Sequence, residues 1–289
     1  MKIQFLGTSA AHSFPLAFCR CEICIECRAH GGKSLRKRAS LLINDEMLID
    51  LGPDFMASCF EYKVDSSQIK FLLQTHYHSD HFSAGQFYTR YSGYAGKDFL
   101  PMKVIASQKT LDGMSRKLAH EGYIDDGQKA WEQSLFAKPM PIEAMKGIKV
   151  SGYEIIGFDS GHCPRTDAFV FLIKKDGRAI FYGTDLLEFS DKIYEFLIKT
   201  GISLDLLILD QTYGHGIRGG GHLNADDVCA IVKRLRKHKV LSTKSKIFAT
   251  HLSHEGHYFH EKQNEIAKGN GYEIAYDGLT LHLDDQLKI

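Results

Sequence analysis

Residues 75–81 read Thr75-His76-Tyr77-His78-Ser79-Asp80-His81, which places three histidines and one aspartate within six residues. The apolar run Ile69 to Leu73 precedes this loop and predicts a buried strand. Side chains at positions i and i+2 of an extended chain point the same way, so His76 and His78 are expected to face a common ligand. Three imidazoles in a small space need a counter-charge or a metal ion. The alternative, a histidine-rich surface loop, is disfavoured by the order of these residues after a hydrophobic strand.

Three further residues of the metal-ligating types follow other predicted strands. They are His162, Asp185 and His251. A lone histidine is more often a core or surface residue, but here three ligand types fall at three separate strand ends. With the four residues of the loop they supply nitrogen and oxygen ligands for two divalent ions, with one carboxylate bridging and a hydroxide between them. Such a site offers hydrolysis.

The composition is that of an ordinary globular protein. The chain has 289 residues, 44% hydrophobic and 25% charged, and a net charge of +1. This near-neutral charge argues against a long nucleic-acid substrate, although the basic run Lys33 to Arg38 keeps an RNA-processing nuclease as a weaker option. No segment approaches the roughly 18 apolar residues of a membrane span, and the N-terminus does not resemble a signal peptide. We therefore expect a cytoplasmic protein without a membrane partner.

Four of the seven cysteines lie close together near the N-terminus. They are Cys19, Cys21, Cys24 and Cys27. In a reducing compartment such a cluster predicts a metal site rather than a disulfide framework. Three thiolates suit a structural zinc ion that needs a fourth ligand. Either Cys27 or His254, three residues after His251, could supply it, and free thiols are the alternative to a metal.

Two segments carry clear strand patterns. A hairpin is predicted between Ser40 and Ile49, with Asn44-Asp45 at its turn. The segment Ile148 to Phe158 alternates between apolar and polar residues and predicts a strand that ends before His162.

We interpret residues 1–289 as one domain with two additions. The first is the cysteine loop at about 19–27. The second is an insertion or lid at about 86–145, which holds a short strand at Lys103 to Ala106 and a helix at about 108–120.

The order of the histidines and aspartates resembles the metal-binding signature of the metallo-β-lactamase superfamily. That signature is a His-x-His-x-Asp-His loop, followed by a histidine, a bridging aspartate and a final histidine. The resemblance implies a first metal ion held by His76, His78 and His162. It implies a second ion held by Asp80, His81 and His251, with Asp185 as the bridge and Asp80 also counted as catalytic. It further implies a four-layer αββα sandwich of two mixed sheets, with two zinc or manganese ions at one edge.

Further motifs narrow the resemblance to one branch of the superfamily. The opening Phe5 to Ala11, the proline at 15, the Cys-x-Cys-x-x-Cys loop and the Thr-His-x-Ser-His around His251 are together similar to the cyclic-phosphodiesterase branch of the superfamily. An enzyme that opens a phosphoribosyl 1,2-cyclic phosphate typifies that branch. The similarity implies a structural zinc ion with the ligands Cys19, Cys21, Cys24 and His254. A cofactor-biosynthesis member, the pyrroloquinoline-quinone B protein, has the same loop, so the loop alone does not fix the reaction.

A glycine-rich loop carries one more candidate, His222. It lies just before a predicted helix at residues 224–238, for which Asn224 is the predicted N-cap. In phosphodiesterases of the superfamily a histidine at this place lies near the scissile phosphate, which implies either a general acid for the leaving oxygen or a ligand of a phosphoryl oxygen, and we take the general acid as the working role. Asp210 is a candidate to orient it, His215 is a rival, and a capping or solvent-exposed histidine is the alternative. Two arginines are further candidates for phosphate contacts, Arg165 and Arg218.

The resulting hypothesis is a dinuclear metal-dependent phosphodiesterase. It would open a small cyclic phosphate or phosphodiester with a metal-bridging hydroxide, and its partner would be a small phosphorylated substrate. The alternatives are a thioester or ester hydrolase, an RNA-processing nuclease of the same fold, and a non-hydrolytic protein of cofactor biosynthesis. A homodimer is kept as an option.

Overall fold

The structure is a computed structural model that describes residues 1–94, 98–124 and 127–283. In this part of the chain the strands form two mixed sheets of seven strands each. The strands of the first sheet are β1 (Lys2–Gly7), β2 (Ser40–Ile43), β3 (Met47–Ile49), β4 (Phe71–Leu73), β5 (Met102–Ala106), β6 (Ala137–Pro141) and β14 (Thr280–His282). Its spatial order is β14-β1-β2-β3-β4-β5-β6.

The second sheet is built from the C-terminal half of the chain. Its strands are β7 (Gly147–Val150), β8 (Tyr153–Asp159), β9 (Phe169–Lys175), β10 (Arg178–Gly183), β11 (Leu204–Asp210), β12 (Leu241–Thr250) and β13 (Glu273–Ile274). Their order is β13-β12-β11-β10-β9-β8-β7. The helices are α1 (Glu22–His30), α2 (Phe55–Tyr62), α3 (Ala84–Tyr88), α4 (Gln108–His120), α5 (Lys129–Ser134), α6 (Asp191–Lys199), α7 (Ala225–Lys237) and α8 (His260–Gly269).

Apolar side chains from both sheets meet in one central core. Phe5 of β1 packs against Phe248 of β12, with ring centroids 5.9 Å apart. The outer face of the first sheet is covered by α4, whose Leu111 and Met114 are fully buried. The outer face of the second sheet is covered by α7, which buries Val228 and its neighbours. The predicted four-layer αββα sandwich is thus confirmed, because each sheet buries one face against the other sheet and one against helices.

Two local predictions are confirmed, and the structure shows the physical reason for each. The hairpin β2-β3 turns at Asn44 and Asp45, whose φ angles of 52° and 59° are those that a tight hairpin turn requires. Helix α7 begins with a capping box, in which the side chain of Asn224 accepts a hydrogen bond from the Asp227 backbone and the Asp227 carboxylate accepts one from the Asn224 backbone.

Two other local predictions are wrong. The segment Ile148 to Phe158 is not one strand but the antiparallel pair β7 and β8, because Ser151 and Gly152 take φ angles of 47° and 83° and reverse the chain. The cysteine segment is only partly a loop, since Cys24 and Cys27 lie on α1. In the segment 86–145, β5 and β6 extend the first sheet beyond β4.

The parallel pairing of neighbouring strands places the loops that carry the predicted ligands at one edge of each sheet. Strands β3, β4 and β5 pair in parallel, as do β10, β11 and β12. The carboxyl ends of parallel strands lie at the same edge of a sheet, where ligands bind in open sheets. None of the helices in the described part of the chain has the length and apolar character needed to cross a bilayer.

Candidate metal centre

Loops from four strand ends bring the predicted ligands together in two groups. The first group is His76, His78 and His162. The second is Asp80, His81, Asp185 and His251. Within each group the ligand atoms all lie within 4.8 Å of one another, so each group could hold an ion.

Asp185 faces both groups. Its Oδ2 atom lies 2.6 Å from His81 Nε2 and 3.3 Å from His251 Nε2. Its Oδ1 atom lies 3.5 Å from His162 Nε2, in the other group. A carboxylate placed in this way offers one oxygen to each of two neighbouring ions.

Hydrogen bonds at the Nδ1 atoms orient four of the imidazoles. His81 Nδ1 donates to Asp50 Oδ2 at 2.7 Å, and His162 Nδ1 donates to the Gly221 carbonyl at 2.8 Å. His76 and His251 hydrogen-bond in the same way to threonine hydroxyls, at 3.0 and 2.9 Å. Each Nε2 atom is therefore directed into the centre, which is the arrangement of metal-bound histidines.

Buried polar atoms at this place lack hydrogen-bond partners in the described part of the chain. They are His81 Nε2, Asp185 Oδ2 and His251 Nε2, which face one another without hydrogen-bond geometry. Orphaned buried polar atoms are costly unless a ligand satisfies them. The donor set of imidazoles and carboxylates fits a divalent ion such as Zn²⁺ or Mn²⁺.

The side chains of the centre shift one another's pKa values. Burial, with the neighbouring His81, holds the pKa of His76 well below its ordinary value, so His76 is a neutral ligand. Although burial opposes it, the carboxylates of Asp80, Asp185 and Asp50 raise the pKa of His81. The imidazoles of His81 and His251 hold the pKa values of Asp80 and Asp185 well below the ordinary value, against the effect of burial. Both carboxylates are therefore ionised and available to a cation.

His222 lies beside the second group. Its Nδ1 atom is 3.1 Å from Asp210 Oδ2 and 3.5 Å from Asp185 Oδ1. Although burial opposes it, Asp210 raises the pKa of His222 to about 9, followed by Asp185. Asp210 also accepts a hydrogen bond from the hydroxyl of Thr212, and that hydroxyl accepts one from His251 Nδ1. The predicted role of Asp210 in orienting His222 thus has a geometric basis.

The cysteines meet His254 in a separate cluster. The Sγ atoms of Cys19, Cys21 and Cys24 lie 3.7, 3.5 and 3.5 Å from His254 Nδ1. A tetrahedral zinc ion with ordinary bond lengths separates sulfur and nitrogen ligands by about 3.5 Å. Of the two candidates for the fourth ligand, His254 belongs to this cluster and Cys27 does not.

The other candidates lie elsewhere. His215 is paired with Asp226 on the surface, at 2.7 Å, and Arg218 is paired with Asp227 at 3.0 Å. The structure places neither of them in the metal centre. Arg165 lies in an exposed turn after His162.

Comparison with known proteins agrees with this architecture. The family model described as "Anti-Pycsar protein Apyc1" matches residues 38–266, which include both groups of the metal centre. The chain belongs to the Apyc1 family. The match begins after Cys24, so it includes only His254 of the cysteine cluster. No curated protein matches the sequence.

Solved structures similar to this Apyc1-family chain have the metallo-β-lactamase fold. A diphosphatase from the PhnP family is 20% identical, with 97% of this chain and 96% of that chain covered and a TM-score of 0.70. Zn²⁺-bound PqqB from Methylobacterium extorquens is 16% identical, with 98% and 100% covered and a TM-score of 0.72. The short form of human tRNase Z is 17% identical, with 99% and 100% covered and a TM-score of 0.65. At these identities the likeness establishes the fold.

The sequence patterns did not reveal Asp50, which is fully buried behind His81. It also accepts hydrogen bonds from the backbone and hydroxyl of Thr75. The motif Asp50-Leu51-Gly52-Pro53 resembles an ordinary turn. The available signal was its position, since Asp50 follows β3 just as Asp185 follows β10.

Proposed function

We propose that this member of the Apyc1 family is a dinuclear metal-dependent phosphodiesterase that opens a small cyclic phosphate or phosphodiester. One observation carries the proposal beyond metal-dependent hydrolysis. His222, with its Nδ1 atom on Asp210, lies 3.5 Å from the carboxylate that faces both ligand groups. An imidazole in that place serves a reaction whose leaving oxygen needs a proton.

The two groups of the metal centre would hold two divalent ions, zinc or manganese, with Asp185 as the shared ligand. When bound, such ions activate water and stabilise negative charge on phosphoryl oxygens. Asp50 and Asp210 keep the imidazoles in the orientation that this chemistry needs. The cysteine cluster with His254 would hold a third ion, a structural zinc.

The protein's own residues account for the proton transfer. The Nδ1 atom of His222 donates to Asp210, which leaves Nε2 to carry the transferable proton. Asp210 stabilises the protonated imidazole, so His222 is an acid at neutral pH. Nε2 can then protonate the leaving oxygen as the phosphodiester bond breaks.

The name of the family gives the proposal a biological direction. The matching model describes an anti-Pycsar protein, and we extend that role to this chain. Similar folds also occur in tRNase Z and in yeast PDE1. None of the residues from Lys33 to Arg38 belongs to a ligand group of the metal centre, so we favour a small substrate over RNA.

A substrate panel tests the proposal. Protein loaded with Zn²⁺ or Mn²⁺ would be assayed on bis-p-nitrophenyl phosphate, 2′,3′- and 3′,5′-cyclic nucleotides, a phosphoribosyl cyclic phosphate, a short RNA and a thioester. We expect turnover of at least one small phosphodiester, and its loss in Asp185→Asn. Thioester cleavage without turnover of any phosphodiester would refute the phosphodiesterase, and cleavage of the RNA alone would favour a nuclease.

A further inference from the structure

A pocket of about 620 Å³ lies apart from both metal-binding clusters. It is formed by the loop before α1, the segment that leads into β2, the end of α2 and the turn before β14. The residues that give it chemical character are Lys33, Arg36, Lys37, Tyr62, Tyr276 and Asp277. We call it the lysine–tyrosine pocket. Its volume is within the usual range for small-molecule sites.

The two lysines of the pocket lie over aromatic rings. Lys33 Nζ is 4.2 Å from the ring centroid of Tyr276, and Lys37 Nζ is 4.8 Å from that of Tyr62. Lys37 is also paired with Glu61 at 2.6 Å. Lys33 has no carboxylate partner among the residues that the structure describes, so its ammonium group is available to an anion. The aromatic contacts hold both ammonium groups at the pocket. Glu61 and Asp277 balance the charge of Lys37, at 2.6 and 3.9 Å, so the charge of Lys33 is the one open to an anion.

The buried, positively charged guanidinium of Arg36 lies beneath the two lysines. Its side chain is 4% exposed and donates to Thr8 Oγ1, the Ala275 carbonyl and His260 Nδ1. Its Nε atom has no hydrogen-bond partner in the described part of the chain. Asp277 is the nearby counter-charge, but its carboxylate already accepts hydrogen bonds from Thr8 and from the Lys37 backbone. A buried guanidinium without an ion pair is costly, and an anion in the adjoining pocket reduces that cost.

We propose that the lysine–tyrosine pocket binds a small phosphate monoester at a site separate from the metal centre. The phosphate would lie against Lys33 and Lys37, above the charge of Arg36. The hydroxyl of Tyr62 accepts a hydrogen bond from Lys37 Nζ at 3.0 Å and so helps to hold that ammonium group at the pocket. The inference does not rest on the proposed reaction, since none of the six residues belongs to the metal centre.

Site-specific labelling tests the proposal on the full-length, metal-loaded protein. Periodate-oxidised AMP carries a dialdehyde that forms an imine with a nearby lysine, and reduction fixes the adduct for mass spectrometry. We expect the adduct at Lys33 or Lys37, with protection by inorganic phosphate and by AMP but not by adenosine. Labelling only of lysines outside the pocket, or equal protection by adenosine, would overturn the proposal.

Variants measure the affinity of the pocket itself. In Lys33→Ala, the phosphate concentration that half-protects Lys37 from the label is expected to rise at least five-fold. Lys33→Arg keeps the charge and should remain within two-fold of the wild type. Lys129→Ala, which removes an exposed lysine on α5, is the matched control. Equal protection curves for Lys33→Ala and the wild type would exclude this site, and because the readout is local, phosphate bound at the metal centre does not disturb it.

Discussion

His222 differs in role from the residues around it, because it faces the metal centre without belonging to either group of predicted ligands. If it supplies the proton to the leaving oxygen, His222→Gln lowers kcat by a factor of 10² to 10⁴ on a cyclic nucleotide. The loss is expected to be much smaller on bis-p-nitrophenyl phosphate, since p-nitrophenolate leaves without a proton. Equal losses on both substrates, with both ions retained, would contradict the assignment.

The pH profile adds a second readout for the same residue. The pKa of His222 is raised to about 9, chiefly by Asp210 against the effect of burial. The acid is therefore protonated at neutral pH, and the rate should fall as the pH rises through about 9. His222→Gln should lack that alkaline limb, whereas Lys129→Gln, on α5 and outside both ligand groups, should keep it.

Individual residues were predictable to different degrees. The loop from His76 to His81 and the three later ligands were identifiable because their residue types and order are unusual. Asp50 was not, because an aspartate before Leu-Gly-Pro is equally typical of a turn. Only the parallel pairing of β3 with β4 shows that its carboxylate lies behind His81.

At the scale of elements, the cysteine segment and the loop after β12 act as one unit. His254 lies three residues after His251, so an ion held by the cysteine cluster would anchor the loop that carries a residue of the metal centre. Cys21→Ser is expected to lose one zinc equivalent by elemental analysis while the other two ions remain. Cys229→Ser, on α7 and remote from the cluster, is the control. Unchanged zinc content in Cys21→Ser would show that the cysteines hold no ion.

Elements with a strong local pattern were predicted well. The hairpin β2-β3 and helix α7 follow from turn and capping residues that lie within the elements themselves. The division of residues 147–159 into β7 and β8 was missed, because Ser151-Gly152 interrupts an apolar alternation that continues on both sides. Helix α1 was missed as well, since its only buried residues are two cysteines and it lacks an apolar stripe.

The stability of the whole molecule should depend on pH through a buried histidine. His257 donates from Nε2 to the Gln211 and Thr212 carbonyls, and burial lowers its pKa to about 4. Between pH 4 and 6.5 the unfolded chain therefore binds a proton here that the native chain does not. The free energy of unfolding contributed by this residue falls as the pH is lowered through that range, by about 1.4 kcal/mol per pH unit.

Denaturant unfolding at pH 6.5 and 5.5 measures this effect. His257→Gln keeps a donor for the two carbonyls but cannot take up the proton. The variant should lose about 1 kcal/mol less than the wild type over that interval. Loss of metal on acidification affects both proteins, so the difference between them isolates His257. Identical pH dependence in the two proteins would rule out this contribution.

The overall architecture was predictable because the resemblance supplied it and the strand-end ligands agreed with it. The way in which two seven-stranded sheets share a core was not encoded in any local pattern. It depends on contacts such as Phe5 with Phe248, which are far apart in the sequence.

Two residues of the metal centre, and the aspartate behind His81, hold the backbone in the left-handed region, since φ is 50° at Asp185, 63° at His251 and 62° at Asp50. Glycine, or in part asparagine, would occupy these positions with less strain. A directed-evolution screen for thermal tolerance alone would therefore favour replacing the side chains on which chemistry depends. Engineering for thermal stability should therefore keep these three residues unchanged and introduce substitutions at other positions.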